Sequence, residues 1–111
     1  MTQQKQMTMR LWLDDERPAP SGWIHAKTAA GAQRLLETGR VVELSLDHDL
    51  GPLSAGTGYD VVCWLEEQCA RQDFIPPEII SVHSANPVGA QRMHQAIESI
   101  RRVWQQKVGG S

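Results

Sequence analysis

The chain has 111 residues, 41% of them hydrophobic and 22% charged, with a formal net charge of −2. That is the size and composition of one globular domain with its own core, and the near-balanced charge excludes electrostatic wrapping of duplex DNA or of an anionic membrane. No apolar run is long enough for a signal peptide or a membrane span, so a cytoplasmic protein is expected.

Residues 1–9 are polar and are expected to be disordered. Arg10 to Leu13 is a short apolar strand that runs into Asp14-Asp15. Pro18 and Pro20 forbid a helix over Glu16 to Gly22. Trp23 to Ala26 is a second short strand. Thr28 can cap a helix over Ala29 to Thr38, with Ala32, Leu35 and Leu36 inward and Gly39 at the stop. Val41 to Leu46 is almost continuously apolar, as suits a strand buried on both faces, and it ends in Asp47-His48-Asp49.

A glycine-containing loop, Gly51 to Gly58, leads to a helix from Tyr59 to Arg71 with Val62, Leu65 and Cys69 on one face. Cys63 and Cys69 are too far apart for a CxxC redox or zinc motif and read as small core residues. After Pro76-Pro77, Glu78 to Val82 is a strand running into His83-Ser84. Asn86-Pro87 then opens a helix to about Gln105, striped by Ala90, Met93, Ile97, Ile100 and Trp104. The domain is expected to span 10–105, with 106–111 as a flexible tail.

Strands alternating with helices predict a mostly parallel, four-stranded sheet whose ligands bind at the C-terminal strand ends. The first connection is short for a parallel crossover. Either it crosses extended, bringing His25 and Lys27 towards the site, or the second strand is an antiparallel edge. His25 and His94 otherwise read as structural or exposed.

Three strand ends then meet. Asp14, Asp15 and Asp47 would repel one another unless a cation sat among them, and hard oxygen ligands suit Mg²⁺, Mn²⁺ or Ca²⁺. His48 and His83 suit a general acid and base. Ser84 and Asn86 at a helix N-terminus, with Arg17, suit an anion such as phosphate; plain capping by Ser84 and Asn86 is the competing reading. No dinucleotide-binding, Walker A or serine-hydrolase pattern is present.

Leu13-Asp14-Asp15 with Arg17-Pro18, Leu46-Asp47-His48-Asp49-Leu50-Gly51, Gly58-Tyr59-Asp60-Val61-Val62 and Val82-His83-Ser84-Ala85-Asn86-Pro87-Val88-Gly89-Ala90 together resemble the cyclic-phosphate-processing receiver-like family, a derived form of response-regulator receiver domains. The resemblance covers residues 10 to 101 and implies a receiver-like (flavodoxin-like) three-layer α/β sandwich with a truncated sheet. It likens Asp14 and Asp15 to the receiver's magnesium-holding acidic pair. Asp47 corresponds to the phospho-accepting aspartate, and Ser84 to the hydroxyl residue that contacts the phosphoryl group. The helix between the first two strands is replaced by the proline turn. No fifth strand with its phosphate-pairing lysine follows the last helix, and His48 and His83 are additions.

The expected function is metal-dependent hydrolysis or binding of cyclic phosphates on nucleotides or RNA ends. Asp14, Asp15 and Asp47 would hold the metal, Asp47 doubling as a candidate nucleophile; His48 and His83 would move protons; Ser84, Asn86 and Arg17 would hold phosphate. The alternative is a non-enzymatic signalling or interaction module phosphorylated on Asp47. The apolar stripe of the last helix, with no fifth strand to cover it, further suggests a homodimer.

Overall fold

In the computed structural model, residues 7–71 and 74–109 are described. They form β1 (Met9–Leu13), β2 (Ile24–Ala26), α1 (Ala29–Leu36), β3 (Val41–Leu46), α2 (Gly58–Arg71), β4 (Ile79–Val82) and α3 (Pro87–Gly109), with a 3-10 turn at Leu53–Ala55 before α2. The sheet order is β2-β1-β3-β4 and every neighbouring pair is parallel. This is the parallel four-stranded α/β sheet that the alternation predicts, in the receiver-like form that the resemblance implies.

Local chemistry sets the boundaries. Thr28 caps α1 by accepting from the Gly31 N–H at 3.0 Å. Asn86 caps α3 in the same way, accepting from Gly89 at 3.0 Å. Each satisfies one of the backbone donors that a helix start leaves free. The α1 helix stops at Leu36, two residues short of the expected Thr38, where the Thr38 hydroxyl donates to the Leu35 carbonyl at 2.7 Å. The α3 helix runs on to Gly109, so 106–109 are helical where a tail was expected. Gln106, Lys107 and Val108 contain no helix breaker. The expected disorder of the N-terminus falls mainly on residues 1–6, and the end of the tail on 110–111; these lie outside the described residues. Met9, placed in that N-terminal segment by the sequence, starts β1 and donates to the Arg40 carbonyl at 2.8 Å.

The first connection crosses extended and β2 is parallel to β1. The usual length requirement does not apply because β2 is only three residues long. A chain reaches about 3.3 Å per residue, so residues 14–23 easily return over so short a strand. The turn is tied down on the way: Trp12 Nε1 donates to the Arg17 carbonyl at 3.1 Å, and Trp23 N–H donates to the Pro20 carbonyl at 3.1 Å.

One core forms, on one face of the sheet. Leu11 and Leu13 of β1 pair in register with Leu44 and Leu46 of β3, and all four are buried. Ala32 and Leu36 of α1, Val61, Val62, Leu65 and Cys69 of α2, and Met93, Ile97 and Ile100 of α3 join the same cluster. The opposite face carries Trp12, in register with His25 on one side and Ser45 on the other, and Arg10 paired with Glu43. Neither Trp12 nor the exposed Ile79 joins the core. Among the described residues all three α-helices contribute to the one core cluster, and on the opposite face Trp12 Nε1 meets the Arg17 carbonyl of the proline turn.

The stripe on α3 is covered within the chain, against α2 and the sheet: Met93 and Ile100 are fully buried. Of the stripe from which a homodimer was inferred, Met93, Ile97 and Ile100 are buried and Ala90 and Trp104 are partly exposed. Arg101 fastens α3 to the start of β4 by donating to the carbonyls of Pro77 at 3.0 Å and Glu78 at 2.9 Å. No described helix is long and apolar enough to cross a membrane.

Candidate functional site

Parallel strands aligned in register bring the residues after their last apolar positions to one edge. Asp14 follows Leu13, Asp47 follows Leu46, and His83 follows Val82. Backbone bonds extend the ladder past the strands, from Asp47 N–H to the Leu13 carbonyl and from His83 N–H to the Leu46 carbonyl, both 2.9 Å. Asp14, Asp15 and Asp47 each present a carboxylate oxygen, and these oxygens lie within 4.8 Å of one another.

Asp14 is fully buried and fully partnered. One oxygen accepts from the backbone N–H groups of Glu16 at 2.8 Å and Arg17 at 2.9 Å; the other accepts from Arg17 Nη1 and from His83 Nε2, both at 3.0 Å. Burial alone would raise its pKa, but the two backbone donors, the Arg17 guanidinium and His83 together hold it below the ordinary 3.8. Asp47 accepts from its neighbour's N–H, His48, at 2.8 Å and faces Arg17 Nη1 at 3.6 Å.

His83 is locked from three sides. An ionised Asp14 can only accept, so Nε2 carries the proton; Nδ1 then accepts from the Ser45 hydroxyl at 2.7 Å. Its ring stacks on Trp12, with centroids 3.8 Å apart and planes 4° from parallel. The small Ser45 on the intervening β3 leaves room for the two rings to meet. Burial pushes the His83 pKa below 6.5, partly offset by the hydrogen bond and charge of Asp14.

His48 belongs to a second group. Its Nδ1 donates to Asp49 at 2.9 Å, and Asn86 Nδ2 donates to the other Asp49 oxygen at 3.3 Å. The hydrogen bond to His48 holds the Asp49 pKa below 3.8. The ring lies against Gly89 in the first turn of α3, so closely that a Cβ there would come within 2.5 Å of His48 Cγ. No hydrogen bond engages Nε2 among the described residues.

A cavity of about 470 Å³ opens beside these groups, lined by Asp15, Glu16, Arg17, Asp47, Asp49, Gly51 and Ala85. Four carboxylates and one guanidinium face it, so an isolated phosphate would be repelled. A divalent cation would offset most of that negative charge and offer a phosphate oxygen a direct partner. The oxygen donor set and the convergence of the three aspartates fit Mg²⁺ or Mn²⁺, with Asp15 and Asp47 on the cavity and Asp14 behind them.

The sequence-derived residues are thus divided. Asp14, Asp15, Asp47, Arg17 and His83 form one network. His48 joins Asp49 and Asn86 in the other. Ser84 Oγ accepts from the Asn86 N–H at 3.0 Å and Asn86 caps α3, so both make the capping contacts of the competing reading, with the Ser84 proton left as a donor. Neither histidine lines the cavity; Asp49 does. His25, expected near the site for a parallel β2, bonds the Asp14 carbonyl through Nε2 at 2.7 Å, and His94 is exposed. Trp23 meets Trp12 edge-on at 6.0 Å between centroids. Sequence reasoning left Asp49 unassigned and gave Trp12 and Ser45 no role at the site; the Asp-His-Asp triplet was the available signal for the first.

A family model described as the cyclic-phosphate processing receiver domain matches residues 9–99. No curated protein and no solved structure matches the chain.

Proposed function

The chain belongs to the cyclic-phosphate processing receiver family, and on that premise we propose that it hydrolyses cyclic phosphates on nucleotides or RNA ends with the help of a divalent cation. The observation that carries this reading is the convergence of Asp14, Asp15 and Asp47 at one strand edge, beside a cavity that Asp49 joins to the His48 pair. Mg²⁺ or Mn²⁺ held by Asp15 and Asp47, backed by Asp14, would neutralise the carboxylates and draw charge from a phosphoryl oxygen.

The chain's own residues then divide the work. Asp49 fixes the Nδ1–H tautomer of His48 and leaves Nε2 with a lone pair, the form of a general base. His48 takes a proton from water. The water oxygen bonds phosphorus, and one ring P–O bond breaks. The released ribose oxygen takes a proton from solvent, and the product is a phosphomonoester beside a free hydroxyl. Arg17 and the Ser84 hydroxyl offer donors to the phosphoryl oxygens. The acid–base pair expected from the sequence changes in one respect: His83, with both nitrogens engaged, orients Asp14 instead of trading protons with substrate.

The test is turnover of adenosine 2′,3′-cyclic phosphate with Mg²⁺ or Mn²⁺. Conversion to the monoester should stop with EDTA, in Asp47→Asn and in His48→Ala, and should persist at a reduced rate in His83→Gln. Neither binding nor conversion by the wild type with either metal overturns the reading. A second reading is a signalling module phosphorylated on Asp47, favoured by the access of that carboxylate to the cavity. Acetyl phosphate would then add one phosphoryl mass, and Asp47→Asn would abolish it.

A further inference from the structure

Arg17 stands where a cation would. Its Nη1 lies 3.0 Å from Asp14 Oδ2, 3.6 Å from Asp47 Oδ2 and 3.4 Å from the His83 carbonyl oxygen. One nitrogen thus faces two carboxylates and a carbonyl, the kind of oxygen set that binds a hard cation. The backbone of Arg17 is held at both ends: its N–H donates to Asp14 Oδ1 at 2.9 Å and its carbonyl accepts from Trp12 Nε1 at 3.1 Å. Its side chain is 47% exposed, so the guanidinium is the part free to move.

Resting on the metal-dependent reading above, we propose that the Arg17 guanidinium and the divalent cation are alternative counterions of Asp47, and that arrival of the cation releases Arg17 towards the phosphate.

The two contacts of Nη1 are unequal, which decides the one that yields. The Asp14 contact is a charge-assisted hydrogen bond to a carboxylate with no solvent exposure, and breaking it would strand a buried charge. The Asp47 contact, at 3.6 Å, is longer than a hydrogen bond, and Asp47 keeps the His48 N–H when Arg17 leaves. Arg17 therefore retains Asp14 and gives up Asp47. Its remaining donors are then on the cavity that it already lines. Cation and anion become linked through one side chain: the cation frees a donor for the anion, and by reciprocity the anion tightens the cation.

Direct Mn²⁺ binding, followed by the electron paramagnetic resonance of the free ion, tests this without turnover. Arg17→Met should bind Mn²⁺ roughly threefold to tenfold more tightly than wild type, the range expected for loss of a partly exposed competing charge. Inorganic phosphate should tighten Mn²⁺ binding in wild type and do so much less in the variant. Arg17→Lys serves if the methionine variant folds poorly: its single nitrogen stays with Asp14, and Mn²⁺ should again bind more tightly than in wild type.

Unchanged or weaker Mn²⁺ binding in the folded variants, with wild-type binding that Asp15→Asn abolishes, overturns this inference alone. Absence of Mn²⁺ binding in wild type and variants alike overturns the metal reading and this inference with it.

Discussion

Replacing Gly89 with alanine separates the position of His48 from its chemistry. The added Cβ would lie 2.5 Å from His48 Cγ and 2.6 Å from Cδ2, where carbon atoms normally stop at about 3.5–4.0 Å. The ring must therefore retreat by about 1 Å, which stretches the 2.9 Å bond from Nδ1 to Asp49 beyond hydrogen-bonding range. Alanine favours the helix over glycine by up to about 1 kcal/mol. A side chain pushed some 30° off its rotamer loses about 0.5–1.5 kcal/mol, so stability should change by less than about 1 kcal/mol. A misplacement of about 1 Å in a reacting group, by contrast, costs about a hundredfold in rate. Turnover of adenosine 2′,3′-cyclic phosphate should fall by about that factor at nearly constant thermal stability, with the His48 ring resonances shifted in NMR spectra. A rate within twofold of wild type, with those resonances shifted, would refute the assignment of His48 as the base.

Gly58→Ala should destabilise the fold, because its Cβ would sit 2.0 Å from the Asp47 carbonyl oxygen, a backbone atom that cannot turn aside; a loss of about 2 kcal/mol, or about 10 °C in thermal midpoint, is expected. Asp14→Asn should lower stability in urea by about 2–3 kcal/mol, since an amide nitrogen would face donors that now meet a carboxylate oxygen. His83 makes stability pH-dependent. Its folded pKa lies below 6.5, so on acidification the unfolded chain takes up the proton first, and stability present above about pH 6.5 declines as pH falls towards the folded value. Urea midpoints at pH 7.5 and 5.5 should differ less in His83→Gln than in wild type, and an equal difference would count against the partly buried, neutral histidine.

Much of this arrangement is legible in the sequence because it is one-dimensional. An apolar run ending in carboxylates fixes both a strand and the edge where its charge emerges, and that is how Asp14, Asp15, Asp47 and His83 come to share a site. The helix caps at Thr28 and Asn86 are equally local. Contacts across strands are not. Nothing in the spacing of Trp12, Ser45 and His83 says that an indole and an imidazole stack over a serine, because that depends on register across three strands. The partition of the histidines is hidden for the same reason: His48 finds Asp49 next to it in the chain, whereas His83 finds Asp14 on a strand two places away. The orientation of β2 was undecided because the rule for crossover length assumes strands of ordinary length, and β2 has three residues.

The central claim is hydrolysis of a cyclic phosphate at the Asp47–His48 edge, and it is tested most directly by ³¹P NMR of adenosine 2′,3′-cyclic phosphate with the protein and Mg²⁺ in ¹⁸O-enriched water. The account predicts that the cyclic resonance is replaced by a monoester resonance carrying the isotope shift of one ¹⁸O, and that Asp47→Asn and His48→Ala leave the cyclic resonance in place. An unchanged cyclic resonance with the wild-type protein, or conversion that survives both substitutions, would contradict it.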